Sequence, residues 1–462
     1  MSTDPSSAEQ LRVAIVGCGP SGFFAADALT KANLPVKIDM FDRLPTPFGL
    51  VRFGVAPDHP KIKTVTKAWE KTALHPAVSF FGNVELGRDL SLDELRAHYD
   101  AVIFTSGAET DRKMDIPGED LKGSHPATQF VGWYNGHPDY ADQKYGLDAE
   151  AAVVIGQGNV AMDVARMLAK TVAEIQPTDT AAHALAAFAT SKVKDVYIIG
   201  RRGPAQAKFT TPELRELGEL AEADLVINES DLVLSAADEE ELKDPDNSTA
   251  AKNVELMREH AKAHPAGSGN KARRVHLLFR LSPTKIEEKS GRVGAIVLQK
   301  NRLEGKANSQ KAVGTGETIT IPCGLVFRSV GYKGKPIPSV PFDAKSGTIP
   351  NVCGRVTVDG KQVPGLYTAG WIKRGPSGVI GTNKACAVET VGKLLEDRAV
   401  LPKAAGRDTA AVSALLASRG VKVVGFADWQ KIDAAEIERG KAKGKAREKV
   451  ATWAELLAAA GK

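Results

Sequence analysis

The sequence predicts an α/β chain with two parallel-sheet units, each opening on a glycine-rich strand-to-helix turn. Three observations carry this. The chain has 462 residues, room for two large domains or three ordinary ones. Its 43% hydrophobic and 25% charged residues are ordinary for a globular protein, which excludes dominant disorder and a collagen-like repeat. The order apolar run, G-x-G-x-x-G or G-x-G-x-x-A, helical run occurs twice, near residues 11–30 and 151–170.

In order along the chain, residues 1–10 (MSTDPSSAEQ) read as a frayed tail. They have no apolar core and no basic flank, so no signal peptide is expected. Leu11–Val16 is apolar throughout, as a strand buried on both faces should be. Gly17-Cys18-Gly19-Pro20-Ser21-Gly22 is the first turn, and a helical run follows from Phe23. Val36–Phe41 is the next strand, ending in Asp42. The second unit starts with the strand Ala151–Ile155 and the turn Gly156-Gln157-Gly158-Asn159-Val160-Ala161, followed by a helix over Met162–Lys170. Its next strand, Val196–Gly200, comes late, so residues 171–194 must hold a long helix or an insertion. That strand ends in Arg201-Arg202 rather than an acid.

Beyond it, the acid-rich residues 219–246 read as a solvated surface segment, Asp238–Glu241 included. Residues 275–281 and 293–302 read as strands of a β-meander. Leu325–Val330 and Leu366–Ala369 are further strands, Ala385–Leu395 is a helix, and Ala410–Arg419 and Trp429–Lys449 are helical.

The two turns have a physical reading. A pyrophosphate binds where a helix begins, because free backbone N–H groups and the helix dipole point at it. The first glycine permits the tight turn, the second lets backbone approach the phosphate, and the third lets helix and strand pack closely. Gly17, Gly19 and Gly22 have this spacing, and Asp42 stands where a carboxylate can accept bonds from ribose hydroxyls. In the second turn Ala161 takes the third position. A carboxylate at the end of the following strand would repel a ribose 2′-phosphate, whereas Arg201 and Arg202 attract one. The expectation is NADP rather than NAD. Two such sites suggest FAD in the first and NADP(H) in the second, with hydride passing between them.

Four longer motifs then make a specific resemblance: DRLPTPFGLVRFGVAPDHP (42–60), GQGNVAMDVAR (156–166), IGRRGPAQAKFTTPELREL (199–217) and TAGWIKRGPSGVIGTNK (368–384). In this order they resemble the adrenodoxin reductase-type ferredoxin–NADP⁺ reductases. The resemblance implies two Rossmann-like domains of the glutathione-reductase type, with the NADP domain (107–331) inserted into a discontinuous FAD domain (1–106 and 332–462) that carries a C-terminal extension. It implies electron transfer from NADPH through FAD to a ferredoxin or other small acidic iron–sulfur protein. For FAD it implies Gly17, Gly19, Ser21, Gly22, Asp42, Leu50, Val84, Trp371, Gly378, Val379 and Ile380. For NADP it implies Gln157, Gly158, Asn159, Val160, Arg201, Arg202 and Glu213, with Gly378 near the nicotinamide. His59 and Glu216 are implied as the catalytic polar groups, holding the cofactors in register or passing protons. The family usually has Glu at position 42; Asp is one methylene shorter and keeps the charge, so ribose binding should survive.

Composition bounds the alternatives. Cys18, Cys323, Cys353 and Cys386 include no C-x-x-C or C-x₄-C pair, so no disulfide framework, iron–sulfur cluster or disulfide-reductase chemistry is expected. The same lack disfavours an electron-input subunit like the small subunit of glutamate synthase. A nucleotide sensor without turnover is the non-enzymatic alternative. No apolar run approaches the ~20 residues of a membrane span, so membrane insertion is not expected and the cytoplasm is the expected compartment. With 61 basic and 56 acidic residues the net charge is only +5, so an acidic partner needs a local basic face. Lys252, Arg258, Arg273 and Arg274, or the cluster from Arg439 to Lys449, are the candidates. The Lys-rich stretch lacks interleaved aromatics, so nucleic-acid binding is not expected.

Overall fold

The computed structural model describes residues 10–406 and 409–462, so most of the predicted tail lies outside the described residues. The chain divides into two compact units. One runs to Thr110, takes in Asn135–Asp139 and resumes at Gly331; the other comprises Asp111–Tyr134 and Tyr140–Val330.

In the first unit, Leu11–Val16 is an inner strand of a seven-stranded sheet. It pairs in parallel with Val36–Asp42 on one side and Ala101–Phe104 on the other. Val78–Gly82 extends one edge, and Lys361–Thr368 joins the other in parallel. Arg355–Val358 and Asn351–Val352 finish that edge antiparallel. All six residues of Leu11–Val16 are buried, which explains its unbroken apolar run. Helix Pro20–Thr30 packs on helix Thr382–Glu396, while Phe23 stacks on Trp69 at 5.6 Å and lies 5.2 Å from Phe48.

The second unit holds a six-stranded parallel sheet, ordered Ser124–Pro126, Leu325–Arg328, Ala151–Ile155, Asp195–Ile199, Arg273–Leu278 and Ala223–Val226. A separate antiparallel meander follows the fifth of these: Leu281–Lys289, Arg292–Glu304 and Lys311–Pro322.

Four expectations are corrected. Residues 171–194 hold two short helices, Val172–Ile175 and Ala182–Ala189, so the insertion reading applies and not the long helix. Residues 275–281 are not a meander strand. Arg273–Leu278 pairs in parallel with Asp195–Ile199, and the chain reverses at Arg280, whose φ is +55°, before the meander begins. No glycine marks that reversal. Residues 219–246 are solvated only in part: Glu239 and Glu240 are exposed, but Asp238 and Glu241 are 1% and 6% exposed. The Gln206 amide donates to Asp238 at 2.8 Å and Glu241 at 3.2 Å, and Gln310 repeats both bonds, so the carboxylates are held by neutral amides. The helix expected over Trp429–Lys449 is Phe426–Lys441; past it, Lys445 and Lys449 are each 5% exposed. Lys445 pairs with Glu448 at 2.6 Å, and Lys449 donates to the carbonyl of Arg52 at 3.0 Å. The basic cluster is therefore divided: Lys445 and Lys449 are buried and Arg447 is half-buried, while Arg439, Lys441 and Lys443 are exposed. Among the described residues no helix is long and apolar enough to cross a membrane.

The C-terminal segment is fastened to the first unit by a buried charge network. Glu436 is fully buried and accepts both terminal nitrogens of Arg52. It also takes Arg447 at 3.1 Å and the backbone N–H of Val450 at 2.9 Å. Burial pushes the Glu436 carboxyl up, but the guanidiniums and Val450 outweigh it and hold its pKa below the ordinary glutamate value. Removing one partner of a buried pair strands the other. Glu436→Ala should therefore lose about 3 kcal/mol in urea denaturation followed by tryptophan fluorescence at neutral pH. Because the folded pKa is depressed, the wild-type advantage is complete above the unfolded value of about 4.3 and shrinks as pH falls through the folded one. The gap between the two proteins should narrow in acid.

Candidate nucleotide sites

The first turn is clamped from both sides. Gly17 N–H donates to Phe41 O at 2.8 Å, and Thr105 N–H donates to Val16 O at 2.8 Å. Gly17 has φ +107°, and a Cβ there would lie 2.6 Å from Thr105 O. A Cβ on Gly22 would lie 2.2 Å from Gly17 O. These two glycines are required by the chain's own packing. Gly19 is different: a Cβ there meets only Gly49 Cα, at 3.8 Å. It caps helix Pro20–Thr30 without any side-chain cap, so bare backbone faces open space at a helix N-terminus.

Around this opening the structure gathers most of the predicted FAD residues. Asp42 accepts the N–H of Cys18 at 2.7 Å on one oxygen and that of Leu44 at 2.9 Å on the other. Each oxygen keeps a lone pair for a hydroxyl. Burial pushes the Asp42 carboxyl up, and the two backbone bonds oppose it. The adjacent Cys18 thiol is pushed up by burial and by Asp42, so it is no nucleophile. Val84 donates its N–H to Asp42 O at 2.9 Å. Leu50 opens the short helix Leu50–Phe53 directly after Gly49, the residue against Gly19. Ser21 backs onto Gly370, where a Cβ would lie 1.9 Å from Ser21 Oγ, and this sets Trp371 beside the turn. Trp371 Nε1 donates to Ser377 O at 3.2 Å, and Val379 N–H donates to Thr382 Oγ1 at 3.2 Å. Gly378 has φ +79°, Val379 is 56% exposed and Ile380 is half-buried in the same loop. His59 occupies the N-cap position of Pro60–Lys63 and is half-buried.

The second turn repeats the construction. Gly156 N–H donates to Ile199 O at 2.9 Å and Ser329 N–H to Ile155 O at 2.8 Å. Gly156 has φ +133°, and a Cβ there would lie 2.2 Å from Ser329 O. Gly158 has nothing within 4 Å of a Cβ and caps helix Asn159–Ala169 without a side-chain cap. Val160 lies half-buried in that helix's first turn. Gln157 donates to Leu278 O at 2.9 Å and lies across Gly200, where a Cβ would sit 1.9 Å from its Oε1. Asn159 Oδ1 accepts the N–H of Thr210 at 2.9 Å.

Arg201 is exposed and Arg202 half-buried, and among the described residues neither guanidinium makes a hydrogen bond or ion pair. Burial and the neighbouring Arg201 depress the Arg202 pKa, against a pull from Glu241. Their backbone is fixed from below. Asn301 donates to Arg201 O at 2.9 Å, Arg280 N–H donates to Arg202 O at 2.9 Å, and Gln206 accepts the N–H of Gly203 at 3.1 Å. Glu213 is buried and engaged by Arg166 at 2.9 Å; Arg166 also reaches Asp163 at 2.5 Å and Glu216 at 3.3 Å. Arg166, Asn301, Gln206 and Gln310 were not singled out from the sequence. Arg166 and Gln206 stand inside the quoted motifs, but nothing local marks the meander's Asn301 or Gln310.

With this geometry in view, relatives can be weighed. The chain is 45% identical over 468 residues to the mitochondrial NADPH:adrenodoxin oxidoreductase of Arabidopsis thaliana, covering 98% of this chain and 96% of that one. It is 46% identical to the NADPH-ferredoxin reductase FprA of Mycobacterium tuberculosis, over 96% and 98% of the two chains. The chain belongs to the adrenodoxin reductase/FprA family. The human mitochondrial member is 42% identical over 96% of this chain and 91% of its own. The solved structure of Mycobacterium tuberculosis FprA in complex with NADPH superposes with a TM-score of 0.91 at 44% identity, covering 98% of this chain and all of that one. Residues 11–216 also match the broader pyridine nucleotide-disulphide oxidoreductase family. Cys18, Cys323, Cys353 and Cys386 are all unpaired in the structure.

The glycines of the first turn should separate by role. Gly19→Ala should fold with a near-wild-type melting temperature and lose nucleotide retention through gel filtration. Gly22→Ala, forced against Gly17 O, should lower the melting temperature by several degrees.

Proposed function

We propose that the protein is an FAD-dependent NADPH:ferredoxin oxidoreductase. The carrying observation is the contrast between two cradles of one design. The first has a carboxylate at its strand end, suited to ribose hydroxyls; the second has two unpaired guanidiniums, suited to a 2′-phosphate. On this reading 1–106 and 332–462, which include Asp42, form the FAD domain, and 107–331, which include Arg201, the NADP domain.

FAD, when bound, supplies the chemistry: it takes a hydride from NADPH and yields single electrons to a small acidic iron–sulfur protein. The chain's residues bind and orient. Gly17 shapes the turn, Gly19, Ser21 and Gly22 present backbone to the pyrophosphate, and Asp42 orients the adenosine ribose. Leu50, Val84, Trp371 and the loop Gly378-Val379-Ile380 supply walls. In the second unit Gln157-Gly158-Asn159-Val160 take the other pyrophosphate, and Arg201 and Arg202 the 2′-phosphate. Arg166 fixes the carboxylates of Glu213 and Glu216. To His59 we assign the passing of a proton at its imidazole, and to Glu216 a positioning contact with the nicotinamide portion. We assign the cytoplasm as compartment, supported by four unpaired cysteines that suit a reducing milieu; the plant and human relatives are described as mitochondrial.

The purified protein should be yellow, and anaerobic NADPH should bleach the flavin bands. A colourless protein that cannot be reconstituted with FAD would sink this reading. The double variant Arg201→Ala/Arg202→Ala should weaken NADPH binding about 100-fold and NADH binding little, since each lost charge-assisted bond is worth roughly 1.5–3 kcal/mol. Titration of both nucleotides against the variant measures the ratio.

A further inference from the structure

Building on the NADP assignment of the second unit, we propose that Asn301 of the antiparallel meander is a positioning residue for the 2′-phosphate. It holds the backbone of Arg201 and Arg202 in the arrangement that lets the protein prefer NADPH to NADH. The two arginines stand in a segment, residues 201–203, that belongs to no helix or strand. Burial, and then the neighbouring Arg201, depress the Arg202 pKa, so the two guanidiniums repel each other. A free loop would relieve that repulsion by turning them apart. A phosphate would then have to gather them again, at the cost of ordering the loop.

The backbone beneath them is closed into a ring of three hydrogen bonds. Asn301 Nδ2 donates to Arg201 O at 2.9 Å. Asn301 N–H donates to Arg280 O at 2.7 Å, and Arg280 N–H donates to Arg202 O at 2.9 Å. Two successive carbonyls of the arginine segment are thus bound by one pair of meander residues. A carbonyl only accepts, so the Asn301 amide must turn its nitrogen to Arg201, and the carboxamide has one orientation. Its second hydrogen goes to Ser282 Oγ at 2.8 Å, and the residue is 8% exposed.

Both members of the ring stand at irregular backbone. The pairing of Arg292–Glu304 with Lys311–Pro322 shifts register between Gln299 and Asn301, and such bulges re-aim a side chain. Arg280 has φ +55°, uncommon for a residue with a Cβ. Its guanidinium donates to Asp231 O at 3.0 Å and Val233 O at 2.6 Å, which ties that conformation to the adjoining segment. A meander that only covered the sheet would need neither distortion. Here both converge on the residues that tell one cofactor from the other.

The test uses the full FAD-loaded protein and two probes, 2′,5′-ADP and 5′-AMP, which differ only in the 2′-phosphate. Calorimetry reads their binding without turnover. Asn301→Ala should weaken 2′,5′-ADP about five- to tenfold, the worth of roughly one hydrogen bond, and leave 5′-AMP within about twofold. The NADPH KM should rise by the same factor with kcat kept. In an Arg201→Ala background Asn301→Ala should add little further loss, because it acts through Arg201. Ser282→Ala, which frees one amide hydrogen, should move the ratio of the probes the same way by about twofold, and it carries the test if Asn301→Ala does not fold. Thr284→Val is the control, since Thr284 Oγ1 donates to Val297 O at 3.1 Å within the meander itself. It should lower the melting temperature and leave the ratio alone. Equal losses of both probes in Asn301→Ala, an undiminished loss in the Arg201→Ala background, or a ratio shifted as far by Thr284→Val would each overturn the proposal. A wild-type protein that binds the two probes equally would strike the NADP assignment itself, and this proposal with it.

Discussion

Everything functional in this chain depends on one backbone constraint, met twice. A strand inside a parallel sheet must end and a helix must begin within three residues, while both neighbouring strands stay bonded to the turn. The Gly17 N–H is committed to Phe41 and the Gly156 N–H to Ile199, and on the other side Thr105 and Ser329 crowd the same positions. Only a residue without Cβ tolerates the positive φ and that carbonyl together. Once the first glycine is fixed, the chain leaves the sheet and the helix opens at Gly19 or Gly158 without a side-chain cap. The opening at Gly19 and Gly158 follows from the packing; no separate site has to be built for a phosphate.

The two cradles then part at a single corner. In the first, the residue after Phe41 is Asp42, whose carboxylate closes the corner by accepting the Cys18 N–H. In the second, the residue after Ile199 is Gly200, and the corner is filled from the opposite direction by the Gln157 side chain. A side chain at position 200 would therefore have to displace the Gln157 amide. A Cβ alone would collide with that amide, so exchanging Gly200 for an acid is not enough to copy the first cradle onto the second. The guanidiniums that distinguish the cofactors stand one and two residues farther on, where Asn301, Arg280 and Gln206 hold the backbone.

What the sequence made legible follows from distance along the chain. Both turns, their strands and the acid or arginines beyond them are local patterns, and the structure forms Leu11–Val16 and Ala151–Ile155 with the expected bounds. Features whose partners lie far away were not legible. Glu436 and Arg52 are 384 residues apart, so nothing near either suggests a buried pair. Asp238 and Glu241 read as solvated because acid-rich runs usually are; their amide donors come from residues 206 and 310. The reversal at Arg280 was hidden because an arginine occupies a conformation usually given to glycine. Lys445 and Lys449 failed as a surface for the reason Asp238 did: charge counted along a sequence carries no information about burial.

Sorting the cations by partner is more informative than counting them. The net charge of +5 suggests a nearly neutral surface. Yet Arg52, Arg166, Arg328 and Lys449 are buried and spent on protein acceptors. Arg201 and Arg202 are held together without a protein anion at one cradle. Like charges kept close and uncompensated raise the energy of the folded chain, and that energy is recovered only when a negative group arrives. Paired guanidiniums on a fixed loop match the compact tetrahedral charge of a phosphate.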